Sequence, residues 1–267
     1  MTAPGDGRSP RVLVLAGPGD TTDIVVQGLR RAFGDVEVVM ERPQSRWALA
    51  RRRARRMGWP TVLGQVLFVG VVLPVLRWRG RTRVAAILAD AGLERSPIAD
   101  AHAVSSVNAV ETRALLRSTA ADVVVVNGTR VIDRATLEAV GCPVVNLHAG
   151  ITPQFRGVHG GYWALADGHP ELVGSTVHLV DAGIDTGGVL AQAVFDPGPE
   201  DSFATYPYLH LACGVPLLVD VVARLAAGGG VESAPTSAGV RPSLPSRLWS
   251  HPTAWGYLWR RVTRGVR

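Results

Sequence analysis

Two short apolar runs constrain the fold of this chain more than any other feature. Residues 11–16 read RVLVLA and residues 122–126 read DVVVV, and neither run has a polar face. Strands of this kind are typical of a parallel sheet that helices cover on both sides. Because helix-length stretches separate these runs from further short apolar runs, the sequence predicts an α/β fold with a doubly wound, mostly parallel sheet.

Composition divides the chain into a main domain and two terminal segments. A chain of 267 residues with 47% hydrophobic residues can build one sizeable domain. We expect a disordered N-terminus over residues 1–10, the main domain over 11–230, with its last helix from His210 to Ala226, and a linker with a short basic, Trp-rich extension over 231–267. No secretory signal opens the chain, which predicts a cytoplasmic protein.

Residues 46–83 form a basic and apolar insert. An arginine-rich run is followed by PTVLGQVLFVGVVLPVL and then by RWRGRTR. The apolar part is shorter than the roughly 20 residues that span a membrane, and it is interrupted by Gly64, Gln65, Gly70 and Pro74. Three interpretations of the insert are possible: a buried or homodimer-interface helix, a peripheral contact with a membrane surface, and a transmembrane helix.

All 28 basic residues are arginine, and the net charge is +6. A chain without lysine cannot form a Schiff base. Arginine stays charged and binds phosphates and carboxylates through a planar fork. The positive net charge is therefore compatible with an anionic substrate, a membrane surface or nucleic acid as partner, and it does not distinguish among them.

Polar residues stand where one predicted strand ends. Asn146 and His148 follow the β-branched pair Val144-Val145, so their side chains share one face at the carboxyl end of a strand. Open α/β sheets bind ligands at that edge. Asp185 lies further on, in a turn before Thr186-Gly187. Taken singly, each has a structural alternative: a backbone cap for Asn146, a satisfied strand-end histidine for His148 and a turn former for Asp185.

Four motifs follow one another in this region. They are Asn146-Leu147-His148, Pro153-Gln154-Phe155-Arg156-Gly157, Gly174-Ser175-Thr176-Val177-His178 and Asp185-Thr186-Gly187. In this order and spacing, the stretch resembles the folate-dependent formyltransferases, a family that includes glycinamide-ribonucleotide, methionyl-tRNA and amino-sugar enzymes. The resemblance implies a Rossmann-like formyltransferase fold and 10-formyltetrahydrofolate as formyl donor, with Asn146, His148 and Asp185 as the catalytic residues.

Formyl transfer has chemical requirements that these side chains could meet. The reaction passes through a tetrahedral intermediate whose oxyanion needs preorganised hydrogen-bond donors. Asn146 offers an amide N–H and His148 an imidazole N–H. Asp185 could orient the imidazole and help to move protons between the attacking amine and the leaving nitrogen.

The resemblance also implies binding residues. The pterin of the donor is expected on the backbone of two loops, formed by Gly128, Thr129, Arg130, Val131, Ile132 and by Val180, Asp181, Ala182, Gly183, Ile184. Gly17 and Gly19 form either a phosphate cradle at a helix N-terminus or an ordinary tight turn. Arg156 and Gly157 are expected near the acceptor. His159, His169 and His178 lack the spacing of a zinc site, so no metal is expected, and His178 is taken as structural.

The sequence thus predicts an N-formyltransferase that acts on a small-molecule amine. A nucleotide-linked amino sugar or a natural-product intermediate is the expected acceptor, because the tail is too short for a tRNA-type C-terminal domain. No nucleic-acid partner is expected. Formyl-folate hydrolysis is the alternative reaction, and a catalytically idle, membrane-associated relative is the alternative class.

Overall fold

The computed structural model describes residues 8–230 and 244–267. The expected disorder of the first seven residues and most of the expected linker, residues 231–243, lie outside the described residues.

A seven-stranded mixed sheet forms the centre of the molecule. Its strand order is β3-β2-β1-β4-β5-β7-β8. The first five strands are parallel, β7 is antiparallel to β5, and β8 is antiparallel to β7. The strands are β1 Val12–Ala16, β2 Val36–Glu41, β3 His102–Val104, β4 Val123–Asn127, β5 Val144–His148, β7 Gly174–Leu179 and β8 Val189–Val194. Separately, β6 Phe155–Gly157 pairs in parallel with β9 Arg247–Trp249. The predicted fold class, a doubly wound and mostly parallel sheet, is confirmed.

Helices cover both faces of the sheet. α1 Asp20–Phe33 and α8 Tyr206–Ala226 pack on one face, where they bury one side of each strand. α5 Val110–Ser118 and α6 Arg134–Leu137 lie on the side that buries the alternate strand residues. β1 and β4 are buried along their whole length. Each fully buried valine or leucine contributes roughly 1.5–3 kcal/mol, which explains why the two apolar runs occupy the centre.

The insert is a pair of helices. The first is α2 Arg46–Met57. The second is one continuous helix, Trp59–Asp90, made of α3 Trp59–Leu67, a π-helical turn Phe68–Val72 and α4 Leu73–Asp90. The glycines and Pro74 therefore do not interrupt it. Gly64 has no side chain, so Trp255 can pack against the helix. The π-helical turn directly precedes the part that contains Pro74, and the start of a helical part is where the missing N–H of a proline is best tolerated.

An aromatic cluster attaches the insert to the rest of the domain. The Phe68 ring is fully buried and meets Phe203 edge-on, with ring centroids 4.8 Å apart, and Tyr257 at 5.1 Å. Tyr162 of α7 Gly160–Ala166 also contacts Phe203. A short 3-10 helix, Pro170–Leu172, follows α7.

Two sequence-based boundaries differ from the structure. α8 begins at Tyr206 rather than at His210, because Pro207 is well tolerated in the first turn of a helix. It is also not the last helix, since α9 Ala254–Arg264 follows, with Thr253 accepting a hydrogen bond from the N–H of Gly256 as its N-cap.

By length and composition, two described helices could cross a membrane: Trp59–Asp90 and Tyr206–Ala226. The second is the core helix α8, which packs against α1 and the sheet.

Candidate active site

A large cleft opens at the carboxyl ends of β4 and β5. Its volume is about 1610 Å³, and the loops after both strands wall it. The neighbouring loop after β1 lies so close that a Cβ on Gly17 would overlap the carbonyl oxygen of Gly128. The cleft therefore lies at the edge where open α/β sheets bind ligands, as the sequence predicts.

The structure brings the predicted catalytic residues together. Asp185 Oδ2 lies 3.4 Å from His148 Nδ1, and Asp185 Oδ1 lies 3.5 Å from His178 Nε2. Asn146 Nδ2 lies 3.1 Å from the same nitrogen of His178. One carboxylate thus stands between two imidazoles, and all four side chains line the cleft.

The partners of His148 determine which ring nitrogen carries the proton when the ring is neutral. Nε2 donates to the carbonyl oxygen of Phe155 at 2.8 Å, so Nδ1 is the nitrogen that faces Asp185. A neutral ring would then point a lone pair at a carboxylate, and the contact becomes attractive once Nδ1 is protonated. Burial lowers the pKa of His148 and outweighs the opposite effect of Asp185. The proton on Nδ1 is therefore held weakly and can be exchanged.

Asp185 is kept ionised. Its backbone lies in the left-handed region with φ 50°, which aims the carboxylate back toward β5. The N–H of Gly157 donates to Oδ2 at 2.8 Å. Burial raises the pKa of Asp185, but the contacts with His178, His148 and Gly157 together lower it more, so it lies below its usual range. The group is therefore a negatively charged acceptor of hydrogen bonds that faces both imidazoles.

His178 belongs to this cluster, although the sequence suggested a structural role. Its Nδ1 donates to the carbonyl oxygen of Leu179 at 2.7 Å, which leaves Nε2 as an acceptor for the amide of Asn146. The antiparallel pairing of β5 with β7 sets Asn146 directly opposite His178. His178 therefore orients the Asn146 amide, whose second N–H is the one a substrate could use.

A buried polar network supports the loop that follows β5. Thr176 Oγ1 donates to the carbonyl oxygen of Gly150 at 2.8 Å, and Gln192 Nε2 donates to Thr176 Oγ1 at 3.0 Å. Gly150 and Gly160 pack so closely that a Cβ on Gly160 would lie 2.5 Å from the Gly150 Cα. This packing holds the start of α7 against the loop and fixes the position of the Phe155 carbonyl.

The predicted donor-binding residues line the cleft, with the exception of Ala182. Arg130 is engaged within the protein, because its backbone N–H and its Nε donate to the buried Glu41 at 2.7 and 2.6 Å. Asp181 accepts from the N–H of Gly183 at 3.0 Å and from Thr186 Oγ1 at 2.7 Å, which shapes the turn before Asp185. Binding of the donor by these residues stays a prediction.

The residues predicted to bind the acceptor are more scattered. Gly157 lines the cleft, whereas Arg156 donates through Nη1 to the carbonyl oxygen of Ile184 at 3.1 Å. Around the first helix, Pro18 and Thr21 line the cleft in place of Gly17 and Gly19. The first turn of α1 also carries the carboxylates Asp20 and Asp23, which compete with a phosphate for the helix N-terminus. Phosphate binding there stays a prediction.

One wall of the cleft is the basic helix α2. It contributes Leu49, Met57 and the arginines Arg52, Arg53, Arg55 and Arg56. The density of arginines is visible in the sequence, but their place beside the cleft is visible only in the folded chain, where the C-terminal segment 248–251 also lines the cleft. Within residues 8–230 and 244–267, no three His, Cys, Asp or Glu side chains are grouped as metal ligands.

Comparison with known proteins gives a consistent picture. A family model described as "Formyl transferase" matches residues 11–221. A methionyl-tRNA formyltransferase from Koribacter versatilis is 33% identical over 154 residues, which are 54% of this chain and 49% of that protein. The chain thus spans about half the length of the curated relatives it matches.

Solved structures share the fold. A glycinamide ribonucleotide transformylase from Symbiobacterium toebii is 23% identical with a TM-score of 0.53, covering 84% of this chain and 90% of that one. A sugar N-formyltransferase from a Shewanella species is 15% identical with a TM-score of 0.53, covering 96% and 89%.

Proposed function

Because the chain belongs to the formyltransferase family, we propose that it moves a formyl group from 10-formyltetrahydrofolate to the amine of a small molecule. The observation that carries this proposal is the cluster at the wall of the cleft, in which His148 contacts Asp185 and Asn146 is linked to Asp185 through His178. A nucleotide-linked amino sugar or an amine of a natural-product pathway is the proposed acceptor.

The side chains suit the two stages of the reaction. In the first, the amine nitrogen attacks the formyl carbon and the carbonyl oxygen becomes an oxyanion. The second N–H of Asn146 stabilises the oxyanion by donating a hydrogen bond, and the positive charge of protonated His148 stabilises it electrostatically. In the second, the bond between the formyl carbon and the folate nitrogen breaks. The amine loses one proton, which Asp185 relays to Nδ1 of His148 across their 3.4 Å contact, and the leaving nitrogen gains one from His148. Both side chains thereby return to their starting protonation states.

The dimensions and walls of the cleft fit a folate and an acceptor together. A volume of about 1610 Å³ exceeds the roughly 300–1,000 Å³ that is usual for one small-molecule site. Loop backbone from residues 128–132 and 180–184 borders the cleft and can pair with the donors and acceptors of a pterin. The ion pair between Glu41 and Arg130 stiffens the first of these loops.

The charge of the cleft favours an anionic acceptor. Arg52, Arg53, Arg55 and Arg56 all lie on its α2 wall. Guanidinium groups bind phosphate through paired hydrogen bonds, so a phosphate-bearing amino sugar fits better than a neutral amine.

Release of tetrahydrofolate measured against nucleotide-linked amino sugars and uncharged amines tests the proposal. We expect amine-dependent release with the anionic acceptors, loss of release in an Asn146→Ala/His148→Ala variant, and full activity in a matched His169→Ala variant, since His169 does not line the cleft. Release without any amine would assign a formyl-folate hydrolase instead. No release under any condition would contradict an enzymatic role.

A further inference from the structure

The long helix of the insert exposes an apolar stripe. Over residues 59–78 the exposed positions recur at helical spacing and carry large apolar side chains that are 42% to 64% exposed: Trp59, Leu63, Val66, Leu67, Val69, Val71, Val75 and Trp78. At about 1.5 Å per residue this stripe is roughly 28 Å long. Its first charged residue is Arg77, and a tryptophan stands at each end.

A second helix continues the stripe. On α9, Trp255, Leu258, Trp259 and Val262 are 49% to 85% exposed and share one side of the helix. Trp255 packs against Gly64 of α3, and the ring of Trp47 on α2 lies 6.3 Å from that of Trp59. We call these exposed residues of 59–78 and α9, with Trp47, the docking face. An apolar patch of this extent on a folded domain marks an interaction site.

The docking face is fixed to the domain from behind. Gln65 Nε2 donates to the carbonyl oxygen of His251 at 2.8 Å, and the Phe68 ring is fully buried in the aromatic cluster. A membrane-spanning helix would have to give up these contacts. The helix is therefore positioned to lie along a surface with one side exposed.

The charged residues of the two segments that carry the docking face are all arginine. Residues 46–89 hold ten arginines and residues 244–267 hold five, and neither segment contains an aspartate or glutamate. The rest of the chain holds thirteen arginines against all 22 acidic residues. An apolar surface bordered by arginine and tryptophan matches the interfacial region of an anionic bilayer, where lipid phosphates meet acyl chains.

We propose that the docking face binds the surface of an anionic lipid bilayer. A second copy of the chain is disfavoured because a twofold interface would set the excess arginines of these two segments against themselves. This inference does not depend on the proposed reaction. It has a consequence for the cleft, since α2 and the segment 248–251 belong to the cleft wall and adjoin the docking face, so that docking holds the cleft beside the lipid.

Co-sedimentation of the full chain with vesicles tests the proposal. We expect binding to phosphatidylcholine vesicles that contain phosphatidylglycerol, much weaker binding to phosphatidylcholine alone, and a decrease with salt. A Leu63→Gln/Val71→Gln/Trp78→Gln variant should bind about tenfold less, since apolar insertion is lost. The matched control is Val110→Gln, because Val110 is 74% exposed on α5, which packs on the other side of the sheet.

A second readout separates insertion from simple charge attraction. Five of the seven tryptophans belong to the docking face, so acyl-chain-brominated lipids should quench the intrinsic fluorescence when the protein binds. No binding to anionic vesicles would overturn the proposal. So would binding without quenching, unchanged binding of the triple variant, or self-association that the triple variant abolishes while vesicles stay unbound.

Discussion

Two regions of the molecule depart in opposite directions from the rule that apolar groups are buried and polar groups exposed. The proposed catalytic cluster, formed by Asn146, His148, His178 and Asp185, largely buries a carboxylate and two imidazoles at the end of the sheet. The docking face exposes tryptophans, leucines and valines on the insert and α9. Such departures carry more information about function than the core does.

The two regions differ in where their side chains find contact partners. Each polar group of the cluster has a partner within the protein, such as Gly157 for Asp185 and Phe155 for His148. The apolar side chains of the docking face stand at the surface. Changes in the first region should therefore alter chemistry and stability together, whereas changes in the second should leave folding untouched. Four predictions test this contrast.

The largest effect is expected from Asp185→Asn. Asparagine tolerates the left-handed backbone at this position, so the turn should persist while the charge is lost. We expect kcat to fall by about 10²–10⁴-fold, the range for removal of a proton-transfer group. Circular dichroism should match the wild type. Retained turnover would show that the carboxylate is not needed for proton movement.

A large structural effect is expected from Gly160→Ala. The new Cβ would lie 2.5 Å from the Cα of Gly150 and 2.6 Å from the carbonyl oxygen of Ala149. We expect a loss of about 1–3 kcal/mol in the free energy of unfolding, as for other overpacked sites, and reduced activity as the loop shifts. Gly141→Ala is the matched control, since no atom lies within 4 Å of its Cβ. Equal denaturation midpoints for both variants would contradict the tight packing.

A pH-dependent effect is expected from His210. Burial, together with the charge of His148, lowers the pKa of His210 to about 3 from the usual 6.5. On acidification the unfolded chain takes up this proton first, so stability is lost as the pH falls below the usual value. Between about pH 7 and pH 5 this group should contribute a loss of about 1–2 kcal/mol.

The measurement is urea unfolding at both pH values for the wild type and for His210→Asn. Asparagine can keep the hydrogen bond to Ser175 Oγ, which the imidazole makes through Nδ1 at 3.1 Å. The variant should lose less stability on acidification than the wild type, whatever its stability at neutral pH. Parallel losses would show that His210 is not the buried neutral base described here.

The smallest effect is expected on the docking face. Leu63 is 58% exposed, so Leu63→Gln should change the free energy of unfolding by no more than about 0.5 kcal/mol. Leu172→Gln is the matched comparison, because Leu172 is 1% exposed and burial of an unpaired amide costs about 1–3 kcal/mol or more. A strongly destabilised Leu63→Gln variant would mean that this side chain belongs to the core.

The sheet could be predicted from the sequence because its constraint is local. A run such as DVVVV, with no polar side, fits only a strand covered on both faces, and its four valines form β4 together with Asn127. Asn146, His148 and Asp185 were identifiable because their motifs occur in a specific order. The contact of His178 with Asn146 was not predicted, since it depends on the register between β5 and β7, which is set by pairing between distant segments.

The insert and the tail were harder to predict for a different reason. Glycine and proline normally interrupt helices, yet Gly64 serves close packing by Trp255, and a π-helical turn precedes Pro74. The periodicity of Trp255, Leu258, Trp259 and Val262 is visible in the sequence, but these residues face outward rather than into a core. What lies next to α9 could only be learned from the folded chain.

The most direct test of the catalytic cluster follows the fate of the formyl carbon. The protein is incubated with 10-formyltetrahydrofolate labelled with ¹³C in the formyl group and with a nucleotide-linked amino sugar, and the products are analysed by mass spectrometry. We expect the wild type to place one labelled formyl group on the amine nitrogen and the Asn146→Ala/His148→Ala variant to place none. Label recovered as formate, or equal transfer by the double variant, would contradict it.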